Sequence, residues 1–164
     1  MKKASVRKLC ACAIVGALYA AVTILTAPFS YNLVQFRMSE ALVVLCAIAP
    51  ELGVGITIGC FIANVFSTVT ALDMIVGTLA TALACIMTAR CRKAWQAILP
   101  NIVTNTILVG GMLGFVLMPD KLPVAFLICG GQVAIGEIAV MVLLGLPLYA
   151  FAKRTGFVER VMEE

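Results

Sequence analysis

The chain has 164 residues, of which 63% are hydrophobic, 12% are charged and none is histidine, and its formal net charge is +4. Soluble domains average about 45–50% apolar and about 25% charged residues, so lipid is the expected solvent. A cytosolic enzyme, a nucleic-acid binder and a disordered linker are excluded. The missing histidine also removes imidazole catalysis and imidazole metal ligation.

The first apolar run, 9–27, follows Lys2, Lys3, Arg7 and Lys8. A basic start before an apolar run resembles a signal peptide, but Thr26-Ala27-Pro28-Phe29 is not a small-residue cleavage site, so a retained helix is expected. Ala13, Ala17 and Ala21 recur every four residues, with Gly16 and Ala20 beside them. Small residues at that spacing admit another helix closely, either from this chain or from a separate membrane protein.

The run 41–70 is broken by Pro50-Glu51-Leu52-Gly53. Read as two spans, it places the N-terminal four cations, the three at Arg90, Arg92 and Lys93 and the three at Lys153, Arg154 and Arg160 on one side, ten of the twelve. Read as one span, it places five there. Short cytoplasmic loops retain Lys and Arg. The expectation is therefore an all-α, single membrane domain over 1–164, a six-helix transmembrane bundle with both termini cytoplasmic. Its helices are expected near 9–27, 36–49, 52–70, 72–89, 98–118 and 125–151. Arg37 and Lys121 then face outward. The second helix would be only roughly 20 Å long, which means an incomplete crossing over a cavity or compensation by tilted neighbours.

Polar residues pick out candidate sites along these helices. The loop before the second helix carries Tyr31, Asn32, Gln35, Phe36, Arg37, Ser39 and Glu40. Arg37 and Glu40 are three apart and pair if both lie on one helical turn. They form either an outward lip for a small solute or an interfacial anchor capped by Ser39. Asn64, Ser67 and Thr68 close the third helix, and Asp73, Gly77 and Thr81 form a small, polar stripe on the fourth. Asp73 reads foremost as a helix cap, and Gly77 and Thr81 as residues that allow close packing.

Asn101, Thr104 and Asn105 are expected to bond across helices as packing groups. Gln132, Gly136 and Glu137 fall near the centre of the last helix. Glu137 is the one ionisable group expected deep in hydrocarbon, where a charge costs about 2.5–3.5 kcal/mol. It calls for a partner, a ligand, a proton or a wet cavity, and the functional reading outweighs a neutral Glu bonded to a nearby amide. The seven cysteines read as small hydrophobes. No phosphate-cradling Gly-x-x-x-x-Gly-Lys-Ser/Thr loop is present, so uphill transport would draw on an ion gradient or another subunit.

Several blocks together resemble the QueT group of substrate-binding S components of energy-coupling factor (ECF) transporters. They are Gln35-Phe36-Arg37-Met38-Ser39-Glu40-Ala41-Leu42, Gly59-Cys60-Phe61-Ile62-Ala63-Asn64, the stretch from Asp73 to Thr81, and Gly136-Glu137, with six short helices and an alanine-spaced first helix around them. The resemblance implies a multi-pass subunit of the bacterial cytoplasmic membrane that captures a 7-deazaguanine queuosine precursor, prequeuosine or queuine. It implies partners in a transmembrane scaffold subunit and two ATPase subunits, no cofactor on this chain since its partners use the ATP, no nucleic acid and no chemistry on the solute. It places Arg37, Glu40, Asn64, Asp73, Gln132 and Glu137 at the solute and Ala13, Ala17 and Ala21 at the scaffold, with toppling in the membrane as the transport step. A carboxylate answers the adjacent N–H donors of a guanine-like edge, and Tyr31, Phe36 and Phe126 are available to stack on the ring.

The residues themselves leave four alternatives open. They are a proton-coupled secondary carrier using Glu137, an S component for another vitamin-like solute, a membrane-embedded enzyme pairing Asp73 with Glu137, and a purely structural subunit.

Overall fold

The computed structural model describes residues 6–30, 35–67 and 71–162, all helices and turns. Lys2, Lys3, Tyr31, Asn32 and Thr68 lie outside the described residues. Helix α1 is Val6–Leu25 and the short α2 is Ala27–Ser30. A 3-10 helix, Met38–Ala47, stands where the second helix is expected. Then follow α3 (Leu52–Val65), α4 (Ala71–Thr88) and α5 (Ala94–Thr104), which runs through a π-turn at Asn105–Val109 into α6 (Gly110–Leu117). After a 3-10 turn at Pro119–Lys121 come α7 (Leu122–Val140), a π-turn at Met141–Gly145, α8 (Leu146–Thr155) and α9 (Phe157–Met162).

By length and composition three helices suffice to cross a bilayer, Val6–Leu25, Ala94–Leu117 and Pro119–Thr155. The other apolar helices, Met38–Ala47, Leu52–Val65 and Leu72–Thr88, fall short of the length criterion. The break at Pro50 lies where expected, in the turn between the 3-10 helix and α3.

The shortest of these segments is the axle of the bundle. Seven of its ten residues, Ser39, Glu40, Ala41, Val43, Val44, Leu45 and Cys46, are buried, because α1, α3, α4, α5 and α8 all pack around it. A helix that is apolar on every side belongs in such a centre. The tighter winding has a geometric effect: ten residues at about 2.0 Å rise reach roughly 20 Å, where an α-helix would reach roughly 15 Å.

Helices α1 and α3 run parallel and meet backbone to backbone. A Cβ on Gly55 would lie 2.0 Å from the Cys12 carbonyl oxygen, one on Gly59 2.2 Å from that of Gly16, and one on Gly16 2.5 Å from that of Gly55. No residue but glycine allows this approach. It turns Gly16, Tyr19, Ala20 and Thr23 inward and leaves Ala13, Ala17 and Ala21 exposed on the other side of α1.

The start of α1, the 48–51 turn, the 89–93 turn and the C-terminal helices share one end of the molecule. Lys8 Nζ lies 3.0 Å from Glu51 Oε1, and the Tyr149 hydroxyl donates to the Arg92 carbonyl at 3.1 Å. Most of the basic clusters therefore gather there. The outer surface is apolar, with Ile14, Phe61, Leu79, Ile107, Phe115, Leu127 and Leu143 all exposed, while the polar side chains of the bundle point inward.

Candidate functional site

A buried polar network runs from the end that holds Arg37 toward the centre. Arg37 stands just ahead of the 3-10 helix, and its Nη2 donates to Asp73 Oδ2 at 2.6 Å, with side chains 1% and 0% exposed. Ser67 Oγ donates to the same oxygen at 2.8 Å. The Asn64 amide nitrogen bonds the Asp73 carbonyl at 3.2 Å and Cys60 Sγ at 3.3 Å. Gly77 makes room for this cluster: a Cβ there would stand 2.8 Å from Asp73 Oδ1, 2.9 Å from Asn64 Nδ2 and 3.3 Å from Arg37 Nη1.

One turn along α4, Thr81 Oγ1 donates to Glu40 Oε1 at 3.0 Å and touches Cys60 Sγ at 3.3 Å. The Tyr19 hydroxyl donates to the same Glu40 oxygen. Deeper still, Asn101 Nδ2 donates to Glu137 Oε2 at 2.8 Å, and Asn105 Nδ2 donates to Asn101 Oδ1 at 3.3 Å. Asn101 also lies beside Glu40, so one amide stands between the two carboxyl groups. Both helices that carry this pair widen into π-turns about one turn beyond it, at Asn105–Val109 and Met141–Gly145, and π-turns recur at functional sites.

The network gathers three carboxyl groups around one guanidinium and is not saturated within the protein. Glu40 Oε2, Asp73 Oδ1 and Asn64 Oδ1 are buried acceptors without a protein donor, and Gln35 Nε2 is a buried donor without an acceptor. Buried polar atoms usually find partners, so four left over in one neighbourhood mark a place built for something else. Gln35 also has φ of +45°, a conformation uncommon for residues other than glycine and found at functional sites.

The geometry corrects several expectations. Arg37 does not take Glu40 as its ion-pair partner. It precedes the helix with φ −81° and ψ 88°, so the same-turn rule does not apply, and its partner is Asp73, 36 positions away. Ser39 makes no cap, since its hydroxyl lies 2.6 Å from that of Thr23. Asp73 is not a cap either: α4 begins at Ala71, and the carboxylate reaches across to Arg37 and Ser67. The polar lip at Arg37 and Glu40 is enclosed, not outward, so Glu137 is one of four buried ionisable groups in the network.

Asn101 and Asn105 do bond as expected, Asn101 across to α7, whereas Thr104 bonds back to Pro100 in its own helix. Gln132 is half-buried, about 140° around α7 from Glu137 at 100° per residue, and no hydrogen bond described here joins it to the network. Phe36 and Phe126 are 36% and 41% exposed, and the Phe126 ring lies 3.7 Å from where a Gly111 Cβ would stand.

Tyr19 and Gln35 belong to the site although nothing in the sequence reading placed them there. A signal for Tyr19 exists: Gly16, Tyr19, Ala20 and Thr23 form one stripe at helical spacing, next to the alanine stripe that drew the eye.

A family model described as QueT transporter matches residues 9–154. No curated protein and no solved structure matches the chain. The matched family is one of membrane transporters and not of enzymes, which makes the buried carboxyl groups transport residues and removes the reading of Asp73 and Glu137 as a catalytic pair.

Proposed function

Because the chain belongs to the QueT transporter family, we propose that it is the solute-capturing S component of an ATP-driven ECF importer for a 7-deazaguanine queuosine precursor. The observation that carries this reading is the excess of buried, unsatisfied acceptors at Glu40, Asp73 and Asn64. A solute rich in N–H donors satisfies them, and a guanine-like edge with an aminomethyl cation is such a solute. Glu137 and Glu40 face the ring donors from either side of Asn101, with charge-assisted bonds stronger than neutral ones. Asp73 with Arg37 and Asn64 forms the other wall, and Gln132 lies at the margin.

The six helical segments then each cross the membrane, with both termini and the basic turns on the cytoplasmic side and 1–164 forming one membrane domain. Labelling of Cys91 by an impermeant reagent from outside intact cells would overturn that sidedness. The exposed Ala13, Ala17 and Ala21 meet the scaffold subunit, and two ATPase subunits supply the energy, so the chain needs no cofactor of its own.

The test is calorimetry on the purified chain with a panel of 7-deazaguanines and with guanine as a control. Specific binding of one panel member is expected, weakened ten-fold to more than a hundred-fold in Glu137→Gln, since loss of a hydrogen bond to a charged group costs about 1.5–3 kcal/mol. Asn101 keeps an oxygen partner in that variant, so it should fold. No binding by any 7-deazaguanine would overturn the solute class, and full affinity in Glu137→Gln would move the site away from α7.

A further inference from the structure

The turn between α4 and α5 carries Arg90, Arg92 and Lys93 within four positions, all exposed, and no acidic residue occurs between Asp73 and Asp120. The other basic clusters at this end are partly engaged: Lys8 pairs with Glu51, Lys153 pairs with Glu159, and Arg160 bonds backbone carbonyls. Among the described residues, none of the three cations at this turn makes an ion pair. The turn itself is held in place, by the Tyr149 hydroxyl on the Arg92 carbonyl at 3.1 Å and by Thr88 Oγ1 on the Ala97 carbonyl at 3.3 Å.

Arg90 stands at the head of two apolar grooves. One, of about 540 Å³, runs between α3 and α4 past Val54, Ile58 and Ile86. The other, of about 390 Å³, runs between α4 and α5 past Met87, Trp95 and Leu99. Each extends along some eight residues of helix from the turn, roughly 12 Å at the α-helical rise. A cationic head flanked by two apolar furrows is complementary to a molecule with one anionic head and two hydrocarbon tails. Basic clusters at membrane surfaces attract anionic lipid headgroups, and Trp95, 56% exposed, is an amphipathic ring suited to the headgroup level.

We propose that the α4–α5 turn is a binding site for an anionic phospholipid, its phosphate held by Arg90, Arg92 and Lys93 and its two acyl chains lying in the grooves on either side of Arg90. The site is remote from the polar network and does not depend on which solute is carried.

Trp95 is the one tryptophan of the chain, so its fluorescence reports on this groove alone. The experiment places the full chain in phosphatidylcholine vesicles containing a fixed fraction of either phosphatidylglycerol or phosphatidylcholine with brominated acyl chains, which quench tryptophan on contact. Brominated phosphatidylglycerol is expected to quench as though enriched about five-fold or more at Trp95, the weight of a single cation near a charged bilayer surface. The preference should fall as salt is raised on the unaltered protein, and it should be lost in Arg90→Gln/Arg92→Gln/Lys93→Gln but kept in Lys8→Gln. Equal quenching by the two headgroups, a preference indifferent to salt, or one that survives the triple substitution would overturn the proposal.

Discussion

Two buried regions of this bundle are held together by opposite means. Between α1 and α3 nothing but backbone touches backbone, with Gly16, Gly55 and Gly59 placed so that any Cβ would strike a carbonyl group. Around the 3-10 helix, side chains do all the joining, through Arg37 on Asp73, Tyr19 and Thr81 on Glu40, and Asn101 on Glu137. The first region is complete as it stands, has no polar side chain to satisfy and tolerates no added atom. The second retains unsatisfied acceptors and can take on a partner. A transport subunit needs both, a seam that does not yield and a polar chamber that does.

The largest break in that contrast should come from the chamber. Removing one member of a buried ion pair strands the other charge and costs roughly 3–5 kcal/mol, while replacing both members with apolar residues is often neutral. Arg37→Ala should therefore lower the thermal unfolding temperature in detergent sharply, and Arg37→Met/Asp73→Leu should recover most of the loss. Equal destabilisation by the two variants would show that the pair contributes more than relief from an isolated charge.

The seam comes next. Gly55→Ala forces a methyl group against the Cys12 carbonyl, and overpacking of this kind costs about 1–3 kcal/mol. On the opposite side of the same helix, Ala17→Trp should change stability by no more than about 0.5 kcal/mol, as exposed substitutions do, and should instead weaken co-purification with a scaffold subunit. A large loss of stability in Ala17→Trp, or none in Gly55→Ala, would reverse the two faces of α1.

The smallest effect belongs to the surface pair at the basic end. The Glu51 carboxyl is held below the usual carboxylate range by a backbone N–H and then by the Lys8 ammonium. A group depressed in the folded state stabilises above its unfolded pKa, near 4.3, and that contribution fades as pH falls through the folded value. Both side chains are partly exposed, so the contribution should stay under about 1 kcal/mol. Melting temperatures measured from about pH 6 down to pH 3 should fall slightly less in Glu51→Gln than in the unaltered chain.

The sequence made the helical class, the break at Pro50 and the isolation of Glu137 legible, because each follows from apolar run length or from the cost of burying a charge. Winding was not legible. Ten apolar residues read as a short α-helix, and only the crowd of neighbours around Met38–Ala47 gives the segment its tighter turn. Pairing was misread for a related reason: the same-face rule for Arg37 and Glu40 presumes that both are already in a helix, and Arg37 is not. Gly55-x-x-x-Gly59 was readable as a close-packing motif, yet the alanine stripe on the first helix, which faces outward, was the more conspicuous pattern.

The 3-10 winding of Met38–Ala47 also makes this segment a screw. Rewound as an α-helix, the same ten residues would shorten by about 5 Å, at 1.5 in place of 2.0 Å per residue. Each residue would also advance by 100° in place of 120°. Between Glu40 and Cys46 the difference accumulates to about 120°, enough to swing the carboxylate out of reach of Tyr19 and Thr81 while Cys46 stays in the core. A pull on the end that carries Arg37 and a rotation of Glu40 are thus one motion, so any force that changes the length of this segment also opens or closes the polar chamber.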